Sequence, residues 1–205
     1  MSGIQFNDTQ LDALREMSNI GMGHAATALS QMLGETLYIR VPKVTVADVA
    51  KVPDFLGGPE QLVAGVVLQV LGDARGLVLM VFPEESAMEL LRRVVSRTPS
   101  QQVLDEIEES TLKEIGNILA SAYLSALGSL VNKTLIPSIP QFAYDMVGAV
   151  IDAVLGELIQ QSEQAVMLEA VVYGNDPEQS DLSGHFFLIP DRDSLGTLFE
   201  AVGVG

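Results

Sequence analysis

The chain has 205 residues, 48% of them apolar and 19% charged, a balance that supplies a full hydrophobic core and excludes disorder as the main state. Eleven Lys and Arg against 27 Asp and Glu leave a formal charge of −16, which opposes unassisted binding to nucleic-acid phosphates or anionic lipid and favours a basic, cationic or metal-bearing partner. Without cysteine there are no disulfides, thiolate metal sites or cysteine nucleophiles. The start, MSGIQFNDTQ, has no basic flank or apolar stretch, and VGAVIDAVLGEL is interrupted by Asp152 and Glu157, so a cytoplasmic protein without membrane insertion is expected.

Taken in order, an apolar period of 3.6 predicts a long helix over about 9–33, followed by a strand near 35–46. AGVVLQVLGDARGLVLMVFPEES, from Ala64, reads as a strand over about 64–71, a turn opened by Gly-Asp and a strand over about 76–82. Pro83-Glu84-Glu85 then suits the start of a helix running to about 97, with proline and carboxylates at the positive end of its dipole. Thr98-Pro99-Ser100 marks a boundary. Beyond it come a helix over about 101–132, a strand over about 133–142 and an amphipathic segment, MVGAVIDAVLGELIQQSEQ, from Met146. Strands over about 165–173 and 184–189 and a helix over about 192–202, opened by Pro190-Asp191, complete the chain.

The order helix, strand, hairpin, helix occurs twice, in repeats spanning about 9–97 and 101–203. Without a gap, residues 12–42 align with residues 110–140, 98 positions later; Leu14, Glu16, Asn19, Ile20, Ala28, Leu29, Thr36, Leu37 and Pro42 are identical to their counterparts. These nine identities compare with about two expected from composition. A hairpin buries one face only, so the expected fold is α+β: two pseudo-twofold units pooling their strands into one mainly antiparallel sheet that carries the helices. Residues 1–205 are therefore expected to form a single domain, since each half alone has a thin core.

On a helical wheel of the second copy, Leu112, Ile115, Leu119, Tyr123, Ala126, Leu127 and Leu130 share one arc, the predicted buried face. Ser110, Glu114 and Asn117 form a stripe opposite it, continued by Ser121; the first copy places Asp12, Glu16, Asn19 and Gly23 identically. A single Glu-x-x-Asn on an exposed face is ordinarily solvation. Duplication weakens that explanation, because any polar residue solvates and Asn is a poor mid-helix residue beside Gln, Lys or Glu. Its carboxamide offers donor and acceptor without charge, so it can orient water against an anionic centre that would repel a carboxylate. The glutamate one turn away can anchor a cationic group, and small residues at 23 and 121 let a partner's backbone approach.

The patterns D-x3-E-x2-N-x22-P (Asp12, Glu16, Asn19, Pro42) and S-x3-E-x2-N-x22-P (Ser110, Glu114, Asn117, Pro140) resemble the CheC, CheX and FliY family of chemotaxis phosphatases. The resemblance spans nearly the whole chain. It implies a protein phosphatase that hydrolyses the aspartyl phosphate of the response regulator CheY. In that mechanism the receiver supplies the phosphoaspartate, Mg²⁺ and a lysine, and the phosphatase needs no cofactor of its own. Glu16 and Glu114 would pair with the lysine, and Asn19 and Asn117 would place the attacking water, with Asp12, Gly23, Ser110 and Ser121 in support. Such phosphatases are also associated with the receptor deamidase CheD, and the segment from Met146 is a candidate contact through Asp152, Gln160 and Gln161. The alternative is a binding module without chemistry, for a receiver domain or for CheD.

Other motifs carry less. Gly21-x-Gly23-x-x-Ala26 has dinucleotide-fingerprint spacing, but it falls within a predicted helix rather than after a strand. His24 and His185 occupy dissimilar parts of the repeat and lack metal-ligand spacing. Met17, Met22, Met32, Met80 and Met88 suit core filling. Asp105, Glu106, Glu108 and Glu109 lack the glycine and ligand order of an EF-hand and suit a helix start.

Overall fold

The computed structural model describes residues 7–95, 103–158, 164–173, 182–191 and 194. In chain order these form α1 (Asp8–Leu33), β1 (Tyr38–Asp48), a 3₁₀ turn (Val49–Lys51), α2 (Val52–Phe55), β2 (Leu62–Gly72), β3 (Gly76–Pro83) and α3 (Glu84–Val95). There follow α4 (Glu106–Val131), β4 (Leu135–Pro137), β5 (Gln141–Met146), α5 (Val147–Leu158), β6 (Gln164–Tyr173) and β7 (Leu182–Pro190). The helix expected over 192–202 lies outside the described residues, except Ser194.

The duplication extends to helix boundaries. Asn7 caps α1, its side chain accepting from Gln10 N–H at 2.9 Å while Gln10 reaches back to Asn7 N–H at 3.0 Å. Asp105 and Glu108, 98 residues on, make the same reciprocal box on α4. Asp105 therefore starts α4 five residues later than the hydropathy period suggests, and the box explains both the acidic cluster and the burial of Glu108. Such a cap contributes about 1 kcal/mol. Both helices end on a left-handed residue, Gly34 at φ 71° and Asn132 at φ 51°, each closing the last turn with its own N–H.

The strands form one antiparallel sheet in the order β1-β6-β7-β3-β2-β4, with β5 also on β2. The pseudo-twofold relation falls between β7 and β3. Each unit keeps its own hairpin but lays its first strand on the hairpin of the other: β1 pairs with β6, and β4 and β5 pair with β2. The predicted strand over 133–142 is thus two strands. Ser138, Ile139 and Pro140 interrupt it, because proline has no N–H to give a ladder and Ser138 closes the gap itself. Its N–H donates to Gln69 O, and its Oγ accepts from Gln69 N–H, both at 2.9 Å.

Helices cover both faces. Alternate residues of the central strands, Val66, Leu68, Val78, Met80, Phe186 and Leu188, pack under α1, α3 and α4. Their neighbours Val63, Leu79, Val81, Phe187 and Ile189 pack under α5 and Val52. β3 accordingly reads as unbroken hydrophobic sequence, the mark of a strand buried on both sides. The α4 wheel holds through Leu127 but not at Leu130, which is 41% exposed; at the last turn Val131 faces inward instead. By length and hydropathy α4 could cross a membrane, yet Leu112, Ile115, Leu119, Tyr123, Leu124 and Leu127 pack into the core beneath it. Small residues set the spacing: a Cβ on Gly116 would lie 2.6 Å from Val66 Cγ1, and one on Gly21 2.6 Å from Tyr123 Cδ2. Gly21 is therefore a packing residue between α1 and α4, and the dinucleotide spacing around it lies within a helix, away from any strand-to-helix turn.

Candidate functional site

Because α1 and α4 bury one face against the sheet and each other, their opposite faces are open. Glu16 and Glu114 are exposed there, Asn19 and Asn117 half-buried at the rim of the packed surface, and Asp12, Ser110 and Gly23 exposed, with Ser121 half-buried. All eight predicted residues therefore lie on the two outer stripes. A Cβ on Gly23 would meet nothing within 4 Å, so packing does not require glycine there. Its carbonyl accepts from the Thr27 hydroxyl.

The charges around each glutamate are arranged alike. Arg15 pairs with Asp12 at 3.1 Å, and Lys113, its counterpart 98 residues later, pairs with Glu109 at 2.7 Å. Each stripe's own cation is thereby turned toward the helix start. Glu16 and Glu114 are left without an ion pair among the described residues, two exposed carboxylates available to a partner's cation.

The asparagines differ. Asn19 Oδ1 accepts a hydrogen bond from Val41 N–H at 3.1 Å. The donor is available because β1 bulges here: Arg40 pairs with Val171 and Lys43 with Glu169, so Val41 and Pro42 face a single residue of β6. A bulge releases a backbone group from the ladder. The proline at a fixed distance after the asparagine thus has a local meaning in the first copy: it sits in the irregularity that hands an N–H to the carboxamide. With Oδ1 so engaged, the Nδ2 donors remain for a partner. Asn117 makes no hydrogen bond to a described residue, and Ile139, the counterpart of Val41, lies in the gap between β4 and β5. Sequence reasoning missed the Val41 donor because a backbone N–H has no residue signature; the shared proline was the only trace of it.

The site is a surface rather than a pocket. The enclosed cavity between α1, α4 and the sheet has a volume of about 40 Å³ and is lined by Met22, Leu29, Met80, Phe82, Leu119 and other apolar groups, and by none of the stripe residues. Open stripes of separate polar groups suit a macromolecular substrate better than a small one, which needs a concave site. No cluster of metal-ligating side chains occurs among the described residues. His24 is exposed on α1; His185 lies on β7 beside Phe187 and Glu169, on neither stripe. Asp152 is exposed on α5, whose Val150, Ile151 and Val154 are buried; Gln160 and Gln161 lie outside the described residues.

A fold of this order, with an E-x-x-N stripe on the first helix of each unit, defines the class. The sequence profile of the CheC-like family matches residues 10–46 and 107–144, the two segments that carry the stripes and the strand entry after them. The chain belongs to that family. It is 36% identical over 200 residues to the CheY-P phosphatase CheC of Bacillus subtilis, covering 96% of this chain and 95% of the relative. Among solved structures, FliY of Thermotoga maritima superposes with a TM-score of 0.74 at 21% identity, over 98% of this chain and 100% of that one. The CheX-CheY-BeF3-Mg²⁺ complex of Borrelia burgdorferi gives 0.52 at 16% identity, over 84% and 96%. At these identities the two solved structures speak to the fold.

Proposed function

We propose that the protein is a phosphatase for the aspartyl phosphate of a CheY-type response regulator and that each stripe is a separate active surface. The observation that carries the reading is the repeated pairing of an exposed, unpaired glutamate with a half-buried asparagine one turn further along the helix. The B. subtilis relative bears the name of this activity, and the B. burgdorferi structure contains CheX with CheY; both support it.

The glutamate recruits. Glu16 or Glu114 forms an ion pair with a lysine at the receiver's active site, which seats the phosphoaspartate against the helix. The substrate brings its own Mg²⁺, whose charge helps to neutralise the phosphoryl oxygens. The asparagine carboxamide, uncharged, approaches the phosphoryl group without repulsion and hydrogen-bonds a water in line with the scissile bond. Water oxygen bonds to phosphorus as the bond from phosphorus to the aspartyl oxygen breaks. Inorganic phosphate and a free carboxylate result, and the proton lost by the water passes to phosphate or solvent. An acyl phosphate has a good leaving group, so positioning alone accelerates the step and no strong general base is required. A receiver carrying labelled phosphate tests this: release should accelerate with the wild-type protein and return to the receiver's own rate with the Asn19→Asp/Asn117→Asp double variant. Acceleration surviving in that variant would reduce the protein to a receiver-binding module or relocate the chemistry.

A second contact, with the deamidase CheD, is proposed for α5. Its apolar residues Val150, Ile151 and Val154 are spent on the core, so recognition would rest on the free side that carries Asp152. Asp152→Lys should abolish CheD capture while leaving phosphate release unchanged, and capture that persists would reject this contact.

A further inference from the structure

The two copies diverge most at one position next to the stripes. In the first, Val41 is 2% exposed, a core residue whose N–H is donated to Asn19. In the second, the gapless correspondence places Ile139 there, and Ile139 is 88% exposed. No other large apolar side chain among the described residues is as exposed. Nor is it a frayed end. Ser138 is bonded in both directions to Gln69 on β2, the Ser138 hydroxyl also donates to Ile139 O at 3.1 Å, and Pro140 restricts the next φ. Two anchors on either side of one residue hold the isoleucine outward on a built turn.

We propose that Ile139 is an apolar anchor for the receiver domain at the second stripe, a contact that the first stripe does not make. The inference rests on the phosphatase reading for its occupant. Three observations select that occupant. By the gapless correspondence Ile139 stands where Val41 meets the stripe asparagine in the first copy, and the proposal seats it on the approach to Asn117. Ile118, directly after Asn117 and identical to Ile20 after Asn19, is only partly buried and supplies an apolar flank on the helix. On the same helix stripe stand Glu114, with no ion pair, and Asn117, with no hydrogen bond, among the described residues. The combination is an apolar contact beside a few polar groups, the composition of an interface hot spot. A rigid tip also binds with less ordering cost than a mobile one.

The test isolates the second stripe. In an Asn19→Asp background, where the first stripe is silenced, Ile139→Ala should raise KM for the phosphorylated receiver about tenfold and Ile139→Asp further, with kcat within about twofold. In the reciprocal Asn117→Asp background the same substitutions should leave KM within about twofold. Thermal midpoints should not move, because the side chain contacts little. Unchanged KM in the first background, or equal increases in both, would overturn the assignment. So would sedimentation showing that Ile139→Asp dissociates a dimer while KM stays constant, which would make the tip a contact between copies of this chain. If the wild-type protein fails to accelerate phosphate release, the phosphatase reading falls on its own. Titration with a receiver loaded with beryllium fluoride and Mg²⁺ still decides the anchor: Kd should rise about tenfold on Ile139→Ala, and an unchanged Kd would reject it.

Discussion

Replacing the two asparagines by alanine should lower activity at both stripes and change stability at only one of them. Asn19→Ala removes the acceptor for Val41 N–H, which sits on a residue 2% exposed in a bulge with no ladder partner to substitute. An orphaned buried donor costs about 1–3 kcal/mol, against which alanine recovers about 0.6 kcal/mol of helix propensity. The net is a loss of about 0.5–2.5 kcal/mol, or a fall in Tm of a few degrees for a chain of this size. Asn117→Ala gives up no hydrogen bond to a described residue and should be neutral or slightly stabilising. Asn19→Asp separates fold from chemistry, since a carboxylate still accepts from Val41 N–H but cannot donate and repels a phosphoryl group. Guanidinium unfolding of the three variants, alongside phosphate release well below the first transition, reads both effects. Each single variant should retain part of the activity, and the double variant none. Equal stabilities for Asn19→Ala and Asn117→Ala would refute the Val41 latch, and Asn19→Asp as unstable as Asn19→Ala would do so more directly.

Reversing both glutamates, Glu16→Lys with Glu114→Lys, should weaken receiver binding more than alanine does, and raised salt should shrink the difference because the pairs are exposed; titration at two ionic strengths measures it, and equal affinities for the two double variants would argue that the carboxylates only solvate the helix. Gly116→Ala drives a methyl to 2.6 Å from Val66 Cγ1 and should cost about 1–3 kcal/mol by denaturant unfolding, where a neutral result would show that α4 can lift from β2. Burial holds the His185 imidazole below its ordinary value of 6.5, against a smaller upward pull from Glu169, and its Nδ1 has no hydrogen-bond partner among the described residues. Below pH 6.5 the unfolded chain therefore takes up this proton first. Stability should decline as pH falls from 6.5 toward the lower folded value, and His185→Gln should remove that part of the slope; parallel pH profiles for the two proteins would contradict it.

The parts of this molecule written in side-chain pattern were legible. The 3.6 period placed the stripes of α1 and α4 opposite their buried faces, and the alternation around Gly-Asp placed the β2–β3 hairpin. What escaped was set by the backbone or by neighbours. Hydropathy extended α4 back to 101 because a wheel does not register a capping box, whereas the Asp105 side chain ends the helix there. Pro140 gave notice of an irregularity but not of its form, since in one copy proline yields a bulge and in the other a broken strand clamped by a serine. The α2 turn escaped because Pro53 reads as a breaker although it is tolerated in a first turn. The candidate site was similarly half visible: Glu and Asn are residue types that can be read, while the Val41 donor and the outward turn of Ile139 depend on where a strand bends.

The exchange of first strands between units bears on synthesis. β1 leaves the ribosome more than a hundred residues before β6, its only partner among the described strands. Until then a nascent chain can complete α1 and the β2–β3 hairpin but not the sheet, and the open β3 edge of that hairpin awaits β7. On a polysome, the β6 edge of a neighbouring chain offers the same register as the chain's own. The native topology and a domain-swapped dimer thus differ only in which molecule supplies β6, so yield on refolding should fall with protein concentration, through interlocked chains that keep every native strand pair.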